Sequence, residues 1–258
     1  MAPGLFTRFL SRLSVRDSGE PTSSNRASSF HLIWTIPPVP IDEVSATFEL
    51  LTQPTVPRLY FWALQASFAD GSGTNGGAHL GLQWHPDYPG NRAVNWGGYG
   101  RSGELDGSVS DLPGTLGNAN TRDYQWETGV PYRFAISSPE SGRWRGTVTN
   151  LATSKSTVVR DLYSTGTHLA GLMVWTEAFC RCDDPPVTVR WSALQASAGR
   201  ADTPIESVRV NYQSLAQGGC TNTTVRQDEI GLLQITATER EIPQGRVISI
   251  NRLPGTEY

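Results

Sequence analysis

The sequence predicts an all-β protein, a sandwich or a barrel. Three observations carry the prediction. Between residues 30 and 200, apolar residues alternate with polar ones in short runs, and no helical periodicity of any length appears. The runs are separated by turn chemistry, with 26 glycines and 17 prolines in 258 residues. Charged residues make up only 17% of the chain, fewer than exposed helices carry.

The first 29 residues read as an N-terminal tail. Leu5, Phe6, Phe9, Leu10 and Leu13 form one face of a short helix edged by Arg8, Arg12 and Arg16. That pattern suits a surface-binding or targeting helix, or one docked on its own domain. Arg8 and Arg12 interrupt any apolar secretory core, and no run of 18 apolar residues exists to span a membrane. Residues 17–29 are small, polar and aperiodic, as in a linker.

Order begins near Phe30, and Pro37-Pro38-Val39-Pro40 makes a stiff extended corner. The next strand puts Val44, Ala46, Phe48 and Leu50 on one face. Strands follow over residues 60–66, 79–85 and 93–99, with a flexible loop at 71–77 and a turn at Asp87–Asn91. On the second of these, Leu80, Leu82 and Trp84 share one face, and His79, Gly81, Gln83 and His85 the other. Further strands span residues 132–137, 144–149, 156–162, 169–179 and 187–196. Residues 201–258 hold three more strand-like runs. Too short to fold unaided, they read as a β-rich extension packed on the 30–200 domain. The pentapeptide Ala-Leu-Gln-Ala-Ser occurs at Ala63–Ser67 and Ala193–Ser197, two strands meeting similar packing demands.

Several segments together are similar to a known group. These are Tyr60-Phe-Trp-Ala-Leu-Gln, Gly81-Leu-Gln, Val94-Asn-Trp and Tyr124-Gln-Trp-Glu-Thr-Gly-Val-Pro-Tyr-Arg-Phe. They resemble an uncharacterised domain family of the concanavalin A-like lectin and glucanase type, over about Phe48 to Ala198. The resemblance implies a jelly-roll β-sandwich and lends little chemistry. The expectation is therefore an all-β jelly roll with a β-rich C-terminal extension and a short N-terminal helix or tail.

Catalytic patterns are sparse. Glucanases of this fold carry acids at two-residue steps on one strand, and no such run exists; Glu104-Leu-Asp106 is bracketed by glycines and reads as a solvated turn. Glu177 shares a strand face with Trp175 and is the best-placed single acid. The four histidines are scattered and no nucleophile elbow occurs, so no serine triad is expected. Asp70–Asn75 offers oxygen ligands for Ca²⁺ but lacks the closing acid of an EF-hand. Cys180-Arg-Cys182 with Cys220 lacks a fourth metal ligand, so neither metal nor other cofactor is expected. An odd number of cysteines points to reduced thiols in a cytoplasmic setting, unless the N-terminal segment directs the chain elsewhere, with one disulfide to Cys220 as the alternative. A formal charge of −3 argues against nucleic acid as partner.

What remains is a surplus of aromatics beside hydrogen-bonding side chains. Gln65, Gln83, His85, Tyr88, Asn95, Tyr99, Trp175 and Glu177 are the candidates for a carbohydrate-binding face, with Asn95 and Tyr99 expected at the surface. The leading expectation is a non-catalytic carbohydrate-recognition domain. The alternatives are a polysaccharide-degrading hydrolase or lyase, and a domain that binds a protein partner.

Overall fold

The structure is a computed structural model that describes residues 15–199 and 201–250. It is a sandwich of two antiparallel sheets, and the only helical pieces among the described residues are short 3-10 turns at Pro89–Asn91 and Leu215–Gln217. The strands run β1 (Ser28–Thr35), β2 (Glu43–Thr52), β3 (Tyr60–Asp70), β4 (Gly73–Trp84), β5 (Arg92–Gly100), β6 (Gly103–Glu104), β7 (Thr121–Asp123), β8 (Pro131–Glu140) and β9 (Arg143–Asn150). They continue with β10 (Lys155–Tyr163), β11 (His168–Ala178), β12 (Thr188–Ala198), β13 (Ala201–Thr203), β14 (Ser207–Tyr212), β15 (Thr224–Gln227), β16 (Leu232–Ile235) and β17 (Val247–Ser249). The front sheet has the order β17-β14-β1-β11-β3-β4-β5-β6, with β7 also on β5. The back sheet has the order β10-β9-β8-β2-β12-β16-β15, with β13 also on β12.

The alternation read from the sequence is the alternation that builds the core. Leu80, Leu82, Trp84, Val94 and Trp96 all face inward and are buried. Strands of the back sheet answer with Phe48, Phe134, Trp144 and Trp191, and the rings interlock at centroid distances of 5.1–5.9 Å in the Phe48–Trp62, Phe48–Trp191, Phe134–Trp191 and Phe68–Trp144 pairs. Such tilted and offset contacts suit the ring quadrupoles. One polar side chain ties the layers together. Gln234 on β16 accepts from Trp191 Nε1 (2.9 Å) and Thr176 Oγ1 (2.8 Å), and donates to the Phe30 carbonyl (2.7 Å). Every bond it makes replaces one lost to water, so its burial is tolerated.

The chain beyond residue 201 is divided between both layers. Strands β14 and β17 extend the front sheet past β1, while β15 and β16 extend the back sheet past β12. The two Ala-Leu-Gln-Ala-Ser copies fall on β3 and β12, one in each sheet, and each lies at a bulge.

The structure corrects three readings. Residues 73–77, read as a loop, belong to β4, because β3 and β4 continue pairing to Asp70↔Gly73. Cys182 and Cys220 form a disulfide with Cα atoms 5.5 Å apart, while Cys180 is a buried thiol. The reduced-thiol expectation rested on the odd number of cysteines; the pairing across 38 residues leaves only Cys180 as the odd thiol. Residues 17–29, read as a linker, are bonded to the sandwich rather than spanning between bodies, and 28–29 open β1. Asp70 spends its carboxylate on Ser72 N and Oγ and on Asn75, closing the hairpin turn itself. The amphipathic pattern of residues 5–13 lies outside the described residues.

Candidate functional site

The outer face of the front sheet carries side chains of the opposite phase to the core. Antiparallel register sorts them into rows. One row runs Ser29, Glu177, Phe61, Gln83, Ala93 across β1, β11, β3, β4 and β5. The next runs His31, Trp175, Ala63, Gly81, Asn95. A third places Met173, Gln65, His79 and Gly97 side by side.

The second row explains why a recess forms. Small residues at 63 and 81 leave space beside Trp175, which packs with Phe61 and Ala63 in a small apolar cluster outside the main core. At Gly81 a Cβ would lie 1.9 Å from the Trp62 carbonyl oxygen, so only glycine lets β3 and β4 approach as they do. Phe61 and Trp175 meet edge to face at 4.9 Å, and His79 stands edge-on to both, at 5.3 and 5.8 Å. The result is a recess of about 210 Å³ lined by Ser29, His31, Phe61, Gln65, His79, Trp175 and Glu177. Gln83 lies beside it, across Phe61 from Glu177.

The electrostatics follow from that lining. It contains one carboxyl and no lysine or arginine. Burial pushes the Glu177 carboxyl above its ordinary 4.5, opposed in part by a hydrogen bond from Asn25 Nδ2 at 2.9 Å. Burial lowers the His79 imidazole to about 4, and lowers His31 as well, against a bond to the Asn211 backbone. Both rings are therefore neutral near pH 7. The Trp175 indole can only donate, and it donates to Gln65 Oε1 at 2.9 Å, which leaves the Gln65 amide N–H groups for a ligand. Two acceptors nearby have no partner among the described residues: buried His31 Nδ1 and Gln83 Oε1.

Of the eight candidates from the sequence, Gln65, Trp175 and Glu177 line the recess and Gln83 adjoins it. The other four do not join them. Asn95 is buried, donating to Thr121 Oγ1 at 2.7 Å, because β7 pairs along β5 and covers it. Tyr88 is buried too, bonded to the Thr121 carbonyl and packed on the His85 ring at 4.8 Å. His85 lies beyond the end of β4, near Asp87. Tyr99 is 66% exposed but sits at the far end of β5, opposite Gly77 and Glu104. Sequence reasoning missed His31, Phe61, His79 and Asn25. Phase alone places His79 and Phe61 with Gln65, but only the pairing of β1 with β11 brings His31 and Ser29 alongside.

No protein-family model and no curated protein matches this sequence. Several solved structures are distantly similar. A scytalido-glutamic peptidase bound to a peptide-based transition-state analogue is similar at TM-score 0.46 and 10% identity, over 85% of this chain and 98% of that one. SCP-B, a member of the Eqolisin family of peptidases in complex with the tripeptide Ala-Ile-His, aligns at TM-score 0.42 and 10% identity, over 85% and 98%. A variant of alginate lyase Aly36B with bound alginate trisaccharide aligns at TM-score 0.27 and 13% identity, over 80% and 72%. The fold stands on the strand order of this chain itself, an all-β sandwich of two antiparallel sheets.

Proposed function

We propose that this protein is a hydrolase that cleaves amide or ester bonds, with peptides as the substrate class, and that Glu177 is its general acid and base. The observation that carries this reading is the single carboxyl in the recess, held above its ordinary range by burial and facing no cation. Glycoside hydrolysis by the usual route needs two carboxyls about 5–10 Å apart, and this recess supplies one. Hydrolysis of a carbonyl compound needs one base for water and a donor for the oxyanion.

The row Glu177–Phe61–Gln83 meets that need. Strands lie about 4.8 Å apart, so the two polar residues stand roughly 10 Å apart at their Cα atoms, on either side of Phe61. A carbonyl over Phe61 lies within reach of both side chains. Water attacks the carbonyl carbon as the Glu177 carboxylate takes its proton, and a Gln83 amide N–H receives the oxyanion. The bond to the leaving group then breaks, and Glu177 returns the proton to it. Water has been added across the bond, and Glu177 ends in its starting state. Gln65, His31 and His79 offer neutral hydrogen-bonding contacts further along an extended chain.

Recognition of a sugar ring without turnover is less well supported. The aromatic faces it would use are occupied: Phe61 and Trp175 are each 6% exposed and packed on one another. The test is a screen of unfolded proteins, quenched peptides and polysaccharides between pH 3 and 7, with Glu177→Gln as control. Peptide cleavage lost in the variant is the expected result. Polysaccharide cleavage, glycan retention without turnover, or cleavage unchanged in the variant would overturn the reading.

A further inference from the structure

Glu177 is touched from outside the sheet by one side chain, and that side chain arrives on a segment with an unusual anchorage. Residues 16–27 run over the edge of the sandwich. Asn25 Nδ2 donates to Glu177 Oε1 at 2.9 Å. The amide cannot turn around, because its Oδ1 accepts from Ala27 N (3.2 Å), a group that can only donate. Ser23 Oγ in turn donates to the Ala27 carbonyl at 2.6 Å, closing the turn that carries Asn25.

The same strap is held by two loops. One contains Cys182: Cys182 N donates to Gly19 O (2.7 Å), and Gly19 N donates to Asp183 Oδ1 (3.0 Å). The other contains Cys220: Thr22 N donates to Gly218 O (3.0 Å), Thr221 N to Arg16 O (2.7 Å), and Arg16 N to Thr221 Oγ1 (2.8 Å). Asn222 Nδ2 joins both sides, donating to Asp17 O (3.2 Å) and Cys182 O (2.8 Å). The Cys182–Cys220 disulfide ties these two loops to each other. Loop and strap bonds are local and individually weak. The covalent link is what keeps the two grips in register.

We propose that Asn25 is a positioning residue for Glu177, delivered by a strap that the Cys182–Cys220 disulfide buckles to the sandwich. The strap has no purely structural need for an amide at position 25, since a side-chain oxygen alone accepts the Ala27 N bond. The Nδ2 donor serves Glu177 alone. It fixes one carboxyl oxygen and leaves the other for water. The titratable groups sharing the recess are His31 from β1 and His79 from β4. The strap itself adds Arg16, Asp17, Glu20 and Arg26, of which Glu20 pairs with Arg58. The imidazoles stay in place when position 25 changes, and the lost side chain can only admit water, which lowers the midpoint, so a rise at Glu177 reports the lost Asn25 bond.

This deepens the hydrolase reading but is tested without it. The probe is the side-chain carbon resonance of Glu177 in protein labelled at glutamate, assigned by its absence in Glu177→Gln and followed against pH. Asn25→Ala removes a donor to the charged form and raises the Glu177 midpoint by about one pH unit. Asn25→Asp keeps the turn and sets a second carboxylate beside the first, raising it further. A small dithiol converts Cys182 and Cys220 to two thiols and becomes a cyclic disulfide itself. That treatment, or Cys182→Ser, produces the Asn25→Ala shift in the wild-type chain, while Cys180→Ser does not. A midpoint unmoved in Asn25→Ala overturns the positioning role. A midpoint that moves with Asn25 but not with reduction overturns the buckle. If no substrate is ever cleaved, the function proposed above falls, and these titrations still decide the role of Asn25.

Discussion

His79 makes the stability of this fold depend on pH, and the size of the effect can be worked out. Its imidazole titrates near 4 in the folded protein against an ordinary 6.5, because burial beside Phe61 and Trp175 disfavours the charged ring. The folded pKa is depressed, so the unfolded chain binds the proton first. Stability is complete above pH 6.5, falls as pH drops from 6.5 to 4, and is flat with respect to this group below that. Two and a half units at 1.36 kcal/mol per unit amount to about 3 kcal/mol, with a steepest slope near 1.4 kcal/mol per pH unit. His31 acts in the same direction. Glu177 acts oppositely: its raised pKa gives stability in acid that is lost as pH climbs through its folded value. His79→Phe keeps a flat ring in the cluster and removes the titration. Urea unfolding of both proteins from pH 7 to pH 4 isolates the term as the difference between them. That difference should move by about 3 kcal/mol in favour of the variant as pH falls. A difference constant to within about 0.5 kcal/mol would show that the ring protonates freely in the folded state, and would refute the burial argument.

Other outcomes follow from the same structure. Gln234→Leu leaves the Trp191 indole, the Thr176 hydroxyl and the Phe30 carbonyl without their buried partner, and should cost about 2–4 kcal/mol in urea unfolding; a loss under about 1 kcal/mol would mean the layers do not depend on this bridge. Gly146→Ala sets a Cβ 2.7 Å from the Trp96 ring, and should lower stability by about 1–3 kcal/mol in thermal unfolding, whereas Gly129→Ala, where no atom lies within 4 Å but φ is +76°, should cost about 1–2 kcal/mol through the left-handed backbone alone. On a cleaved peptide, Gln83→Ala should lower kcat by at least about tenfold, whereas Gln65→Ala should act mainly on KM; the reverse pattern would exchange their roles.

The fold was legible because it is written in a two-residue period. Val44, Phe48, Leu80, Leu82, Trp84 and Val94 fell on the core face as alternation demands. The same period separated Glu177 and Trp175 from Val174 and Thr176, and so found half of the recess. It failed where tertiary pairing overrides local pattern. Asn95 is in phase with the outer face yet buried, because β7 arrives from 26 residues away to bond its side chain. Tyr99 and Glu177 share a face but not a row, and rows are set by register, which alternation does not encode. His31 and Ser29 reach the recess only because β1 inserts between β11 and β14, a long-range order with no local signature. The strap was read as a linker for a related reason: small polar residues such as Ser23 and Asn25 satisfy nearby backbone groups, and a side chain on another element, as readily as they solvate a free chain.

The position of the recess within the sandwich accounts for its chemistry. At a loop tip, a carboxyl is solvated and meets arginines, as Glu140 meets Arg143 and Asp183 meets Arg181; Asp183 is held below its ordinary value as a result. In the middle of a sheet face, the nearest groups are fixed by strand register, and each neighbour of Glu177 on that face is neutral: Ser29, Phe61, and Trp175 two residues along. The cations that would pull its proton off are excluded by geometry, since a long arginine there would have to displace the Phe61–Trp175 pair. The strap then adds back one neutral donor, Asn25, which favours the carboxylate without bringing charge. Glu177 thus has burial pushing it toward the acid and a single amide pulling it toward the base, the balance a group needs if it is to take a proton and return it within one turnover. His79 bounds that balance from below: once it charges near pH 4, the recess gains a cation, Glu177 is driven toward its ionised form, and the fold gives up stability at the same time.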